Sequence, residues 1–123
     1  MEWNINSQRP VYIQLIEQIE LGIIAGYYTP GDKLLSVRDL AAQAKVNPNT
    51  MQKALVELER MGLVYANRTS GRTITSDLDM IKKVKEESAM NVSIDYLEKM
   101  KKLGFDTEEI LSMLQKLIRE MNK

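Results

Sequence analysis

The stretch Asn47-Pro48-Asn49-Thr50 constrains this chain more than any other. Asparagine offers a side-chain oxygen to the open N–H groups at a helix start, and proline fits the first helical position because its missing N–H has no partner there anyway. A helix is predicted from Pro48, and Met51, Ala54, Leu55, Leu58 and Met61 continue it at helical spacing until Gly62, which is placed to end it. Just upstream, Ser36-x-x-Asp39 has the spacing of a capping box, and Val37, Leu40, Ala41 and Ala44 share one face of a shorter helix. That helix stops before Lys45-Val46. Two short helices so closely joined, the first carrying small alanines so that the second can cross it closely, predict a helix-turn-helix.

The neighbouring segments extend this unit in both directions. Trp3-Asn4-Ile5 alternates apolar and polar residues and predicts a short strand. From Pro10, the residues Tyr12, Leu15, Ile16, Ile19, Ile23 and Ile24 predict an amphipathic helix that stops near Gly26, with Gly22 inside it costing about 1 kcal/mol relative to alanine. Thr29-Pro30-Gly31-Asp32 reads as a turn, with proline pre-set for the second position and glycine able to take positive φ at the third. Downstream, Leu63-Val64-Tyr65-Ala66 and Thr73-Ile74-Thr75 are rich in strand formers, and the polar Asn67-Arg68-Thr69-Ser70-Gly71-Arg72 lies between them. A hairpin attached directly behind a second helix is a wing.

From Ser76 the pattern changes. Ser76-x-x-Asp79 repeats the capping-box spacing, and a helix is predicted whose apolar face is Leu78, Ile81, Val84, Ala89, Val92, Tyr96, Met100 and Leu103. Gly104 breaks it, and Asp106-x-x-Glu109 opens a last helix bearing Ile110, Leu111, Leu114, Leu117, Ile118 and Met121. The fold class is therefore mainly α with a small β-hairpin. Residues 1–76 form a winged helix-turn-helix domain, and residues 77–123 form a two-helix tail. The last helix has more apolar surface than a two-helix appendage can hide against itself, so the tail is expected to form a homodimer.

Composition narrows the function. The chain has neither histidine nor cysteine, which removes the commonest general base and all thiolate metal sites, and no calcium-loop spacing occurs. An enzyme is disfavoured, and no cofactor or metal is expected. No apolar run is long enough to span a membrane and the N-terminus lacks the features of a signal peptide, so no membrane association and a cytoplasmic location are expected. Seventeen Lys/Arg balance seventeen Asp/Glu over the chain. Yet residues 33–72 hold seven bases (Lys33, Arg38, Lys45, Lys53, Arg60, Arg68, Arg72) against three acids (Asp39, Glu57, Glu59), a local net charge of +4. The overall neutrality conceals a basic surface.

The ordered residues resemble the GntR family of bacterial transcription regulators. The matches are Pro10-x-Tyr12-x-Gln14, Gly26-x-Tyr28-x-Pro30-Gly31-Asp32-Lys33-Leu34, Ser36-x-Arg38-x-Leu40-Ala41, Val46-Asn47-x-x-Thr50, Ala54-Leu55-x-x-Leu58-Glu59-x-x-Gly62-Leu63-Val64, and Gly71 in the wing. The short tail and the Trp3 segment look like the YtrA subfamily. Two positions depart from the family pattern. Leu35 stands where proline is usual, which should loosen the start of the second helix. Thr69-Ser70-Gly71 replaces a Gly-x-Gly, so close approach of the wing backbone to DNA rests on Gly71.

A helix that reads the major groove needs amides and hydroxyls on its first turns. Asn49, Thr50 and Gln52 supply them and Lys53 adds a charge, on the side away from Met51, Leu55 and Leu58, and the capping Asn47 is a further DNA-contact candidate. The plain alternative is a well-capped surface helix. The resemblance implies that Arg38 contacts DNA; the plainer alternative is a solvated charge or a partner for Asp39. Arg68, Gly71 and Arg72 of the wing are candidates for phosphate or minor-groove contact, or a solvated hairpin tip. Lys33 and Lys45 suit phosphates. Glu57 and Glu59 face different directions on the helix and are assigned no chemistry. The expected partners are double-stranded DNA, a second copy of the chain through residues 77–123, and an unidentified small-molecule effector. Tyr96 and Phe105 are candidate liners of an effector cleft between tail and winged domain, though core packing also accounts for them. A two-fold dimer matches an inverted-repeat operator, a repressor is the expected role, and the resemblance implies the setting of a transporter operon. The competing reading is a winged-helix protein-interaction module that binds no DNA.

Overall fold

A computed structural model describes residues 1–68 and 71–123. The elements are α1 (Val11–Ile24), α2 (Val37–Ala44), α3 (Pro48–Arg60), β1 (Val64–Asn67), β2 (Gly71–Ile74), α4 (Leu78–Lys102) and α5 (Thr107–Met121). Caps follow local chemistry. The Ser36 hydroxyl accepts from the Asp39 N–H at 3.1 Å, and Leu35, exposed beside it, does not disturb that cap. Asn47 caps α3 with Pro48 in its first turn, as its sequence requires. At α4 the expected Ser76 cap is displaced by one residue. The Asp77 carboxylate accepts from the Met80 N–H at 3.1 Å, and a carboxylate also complements the positive end of the helix.

The chain divides into two compact units, Met1–Lys85 and Glu86–Lys123, so the division falls inside α4 rather than ahead of it. In the first unit α1 and α2 both pack on α3. Leu15, Ile19, Leu40, Met51, Leu55, Leu58, Leu63 and Ile74 fill the centre, with Val84 from the start of α4 completing it. Ala41, Ala44 and Ala54 are buried where α2 and α3 meet, the close crossing that small residues permit.

β1 and β2 pair antiparallel, Val64 opposite Ile74 and Asn67 opposite Gly71. Residues 31–34 extend this ladder, a pairing that no local sequence signal announces. Ile74 N–H donates to Asp32 O at 2.8 Å, and Leu34 N–H donates to Arg72 O at 2.9 Å. The predicted turn precedes it, with Asp32 N–H donating to Thr29 O at 3.1 Å and Gly31 at φ +85. That combination is a type II turn, in which the third position needs positive φ.

The expected strand at Trp3-Asn4-Ile5 does not form. Two glutamines of α1 take up the backbone groups that a neighbouring strand would have paired. Gln14, only 2% exposed, receives the Asn6 N–H at 2.9 Å and donates to Asn6 O and Arg9 O at 2.9 and 2.8 Å. Gln18 receives the Asn4 N–H at 3.0 Å and donates to Asn4 O at 2.7 Å. Trp3 and Ile5 are thereby held against the core. Gly22, the glycine inside α1, lies under the Tyr28 ring, where a Cβ would come within 2.9 Å of two ring carbons.

In the second unit, the end of α4 and α5 form a helical hairpin. The predicted cap at Asp106 is complete, its side chain accepting from Glu109 N–H at 2.9 Å while the Glu109 carboxylate accepts from Asp106 N–H at 3.1 Å. The predicted single apolar face of α4 is not buried as one. Val84 enters the first unit's core and Met100 is buried in the hairpin, but Leu78, Val92 and Leu103 are exposed. The spread of apolar positions around this long helix is broader than one packing partner can cover.

Candidate nucleic-acid interface

The α3 helix has a buried side and an open one. Met51, Ala54, Leu55 and Leu58 are inside, whereas Asn49, Gln52, Lys53, Val56 and Arg60 form an exposed stripe at helical spacing. Thr50 sits at the border, half-buried. Asn47 is exposed, and its Oδ1 receives the Asn49 N–H at 2.8 Å. This cap sets where the helix begins and so the register of every residue along the stripe. Val56 is missing from the residues expected here, because an apolar residue in a helical pattern reads as core. It is 46% exposed among the polar groups, where it presents methyl groups.

The basic residues separate into two sets. Arg60 pairs with Glu57 at 2.6 Å, and the Arg72 Nε donates to the Glu59 carboxylate at 2.5 Å. The Arg72–Glu59 pair is largely enclosed, with side chains 15% and 28% exposed, and it ties β2 to α3. The sequence assigns neither glutamate a role, and the Glu59 partner lies thirteen positions away across the hairpin, beyond the reach of helical periodicity. The second set is Lys33, Arg38, Lys45, Lys53 and Arg68. All five are exposed, and among the described residues none is in an ion pair. The two hairpin arginines therefore part company: Arg68 stands in solvent at the end of β1, and Arg72 is turned inward as a brace. Gly71 is exposed at φ +81, and a Cβ placed there would meet nothing within 4 Å, so its backbone is open to close approach. The wing-tip residues Thr69 and Ser70 lie outside the described residues.

The turn joining α2 to α3 is tight. Lys45 takes a left-handed conformation at φ 58, and Val46 N–H donates to Ala41 O at 3.0 Å. Arg38 is held in the first turn of α2 on the outer side, with Leu40 and Ala41 buried behind it. The structure thus places Arg38, Asn47, Asn49, Gln52, Lys53 and Arg68 at the surface of one unit and leaves Thr50 and Arg72 partly covered.

The sequence pattern of bacterial regulatory proteins of the gntR family matches residues 11–74, α1 through the wing. The chain belongs to the GntR family. It is similar to the HTH-type transcriptional regulator YhcF of Bacillus subtilis, 37% identical over 90% of this chain and 92% of that protein. It is also similar to the HTH-type transcriptional repressor YtrA of the same organism, 44% identical over 58% of this chain and 55% of that one. A GntR family transcriptional regulator from Listeria monocytogenes superposes with a TM-score of 0.86 at 36% identity, covering 91% of this chain and 98% of that one. The AraR DNA-binding domain, solved in complex with operator ORX1, superposes with a TM-score of 0.53 at 26% identity over 61% of this chain and 99% of that one. This GntR regulator is a DNA-binding transcription regulator with a winged helix fold, not an enzyme. Family membership decides against a winged helix that serves protein contacts alone. Among the described residues no helix is long and apolar enough to cross a membrane.

Proposed function

We propose that this GntR regulator is a homodimeric repressor that reads an inverted-repeat operator with α3 and works in the cytoplasm. The observation that carries the reading is the exposed stripe of α3, begun by a proline-fixed cap, in a unit with five exposed cations outside any ion pair among the described residues. Asn49 and Gln52 carry amides able to pair bidentately with adenine, and Val56 suits a thymine methyl. Asn47 and Thr50 lie at the start of α3, where phosphate contacts set docking, and Lys53 adds a charge one turn further on. Arg38, Arg68 and the Gly71 backbone hold phosphates on either side. Arg72 acts through Glu59, keeping the wing at a constant angle to α3.

Dimerisation through the helical tail is supported by α5, where Leu111, Leu117, Ile118 and Met121 are all more than half exposed. Two copies related by a two-fold axis present two reading helices, the arrangement that an inverted repeat matches. The similarity to a repressor, YtrA, supports repression by promoter occupancy. Control of a transporter operon and relief by a small-molecule effector complete the proposal. Tyr96 lines a cavity of about 550 Å³ between α4 and α5, within the tail, with Leu97, Ile110 and Leu114. Phe105 is not among its liners.

A gel-shift titration against the chain's own promoter at two salt concentrations tests the reading. The expected result is a sequence-selective shift that weakens steeply with salt. Gln52→Ala or Arg38→Ala should each weaken specific binding by roughly 1–3 kcal/mol. Binding indifferent to both salt and sequence would overturn it.

A further inference from the structure

Lys53 does not stand free on the open stripe of α3. Its Nζ lies 3.8 Å from the centroid of the Tyr12 ring, and among the described residues no carboxylate pairs with it. Tyr12 belongs to the first turn of α1 and continues the stripe of Leu15, Ile19 and Ile23 that packs into the core. That stripe is sealed at Leu15 and opens at Tyr12, which is half-buried. The ring therefore marks the edge where core gives way to surface beside α3. The body of α1 is built into the protein interior, and the aromatic face at its N-terminal end is occupied by a cation from α3.

An ammonium over an aromatic face is attracted by the negative charge of the ring's π surface. A lysine side chain otherwise samples many rotamers, and restricting it before binding reduces the ordering cost of any contact it then makes. A ring leaves most of the ammonium's hydration shell open, so the charge stays available to a second, anionic partner. A carboxylate in the same place would neutralise it. Lysine suits a phosphate as a point charge, whereas bidentate base reading is the work of amides and guanidinium groups.

We infer that Tyr12 is a positioning residue for DNA binding: its ring holds the Lys53 ammonium at the flank of α3 as a preset phosphate contact, leaving base reading to Asn49 and Gln52. The inference rests on the reading of α3 as the DNA-facing helix. It adds α1 to the interface without requiring Tyr12 to touch DNA.

The experiment uses the full chain and a duplex that it selects from a random-sequence pool. Affinity and its salt dependence are measured for the wild type, Tyr12→Leu, Tyr12→Phe, Lys53→Met and the Tyr12→Leu/Lys53→Met double variant. Tyr12→Leu is expected to weaken binding about 2- to 5-fold, the ordering cost that one pre-positioned lysine side chain is spared on binding. Lys53→Met should lower the salt slope by about one phosphate contact. With Lys53 already gone, Tyr12→Leu should do nothing further, and Tyr12→Phe, which keeps the ring, should bind like the wild type. Additive losses in the double variant would show that Tyr12 matters only for packing, and would overturn the inference. A Tyr12→Phe loss as large as that of Tyr12→Leu would overturn it too, because the hydroxyl would then be the contacting group. If the wild type selects no duplex, the DNA reading of α3 fails and this inference fails with it, a result distinct from the other two. An upfield ring-current shift of the Lys53 ε protons, abolished by Tyr12→Leu, checks the contact without DNA.

Discussion

Leu15, Ile19, Met51, Leu55 and Leu58 of the winged unit are at most 1% exposed, while Leu117, Ile118 and Met121 of α5 are 53%, 54% and 75% exposed. Both units are built from helices that carry large apolar residues, yet one buries most of them and the other leaves most of them open. Three helices and a wing surround a common centre, so each helix finds neighbours on its buried side. In the second unit, with two helices alone, only Met100 and Ile110 are buried. A domain that closes its own core can be stable alone, whereas an open apolar face needs a further surface. The contrast supports the proposed division of labour, in which one unit would read DNA and the other would recruit a second copy.

The largest expected effect breaks the closed core. Leu58→Ala should lower stability by about 2–5 kcal/mol, through lost transfer energy and the cavity left behind. Urea unfolding at one fixed protein concentration measures it. A loss below about 1 kcal/mol would mean that the core relaxes freely and that the contrast between the units is overstated.

The second prediction concerns the open face. Ile118→Glu should raise the dimer dissociation constant tenfold or more, since an unpaired carboxylate in an apolar interface costs well over the ~1.4 kcal/mol that a factor of ten represents. Light scattering across a dilution series follows the mass, and near-UV circular dichroism reports whether the winged unit is intact. An unchanged mass would remove α5 from the interface.

The smallest effect lies within the winged unit, at the tie between wing and α3. Glu59→Gln should cost about 1 kcal/mol, the typical scale for one partly screened charged hydrogen bond. Arg72→Gln should cost a similar amount, and the double variant little more. DNA affinity sharpens the point: a brace makes both variants weaken binding alike. If Arg72→Gln weakens it far more than Glu59→Gln does, the guanidinium contacts DNA itself.

Much of the fold was legible because its signals are local. Asn47-Pro48 announces the start of α3, and Asp106-x-x-Glu109 announces that of α5, because a capping side chain reaches N–H groups within its own turn. The type II turn at Thr29–Asp32 follows from what proline and glycine permit at two adjacent positions. The Ser76 cap misplaced by one residue shows the limit of this kind of signal. Ser76 and Asp77 are both competent caps, and packing of Met80, Ile81 and Val84 on the core selects between them. Trp3-Ile5 misleads for a related reason. Alternation reports one buried face, but it does not report whether a strand or a glutamine side chain will satisfy the backbone.

At the interface the sequence by itself determined which residue types stand on the open side of α3, since helical spacing and the buried leucines leave Asn49, Gln52 and Lys53 nowhere else to go. It also determined that residues 33–72 carry an excess of positive charge. The tertiary structure alone decided what that charge does. Arg72 is drawn to Glu59, Lys53 rests on the Tyr12 ring, and Arg38, Lys33, Lys45 and Arg68 stay exposed and outside any ion pair among the described residues. The physical reason is reach. A cap or a turn is settled within a few residues of the backbone, whereas an ion pair or a cation–aromatic contact joins groups that only the packing of separate elements brings within a few ångströms.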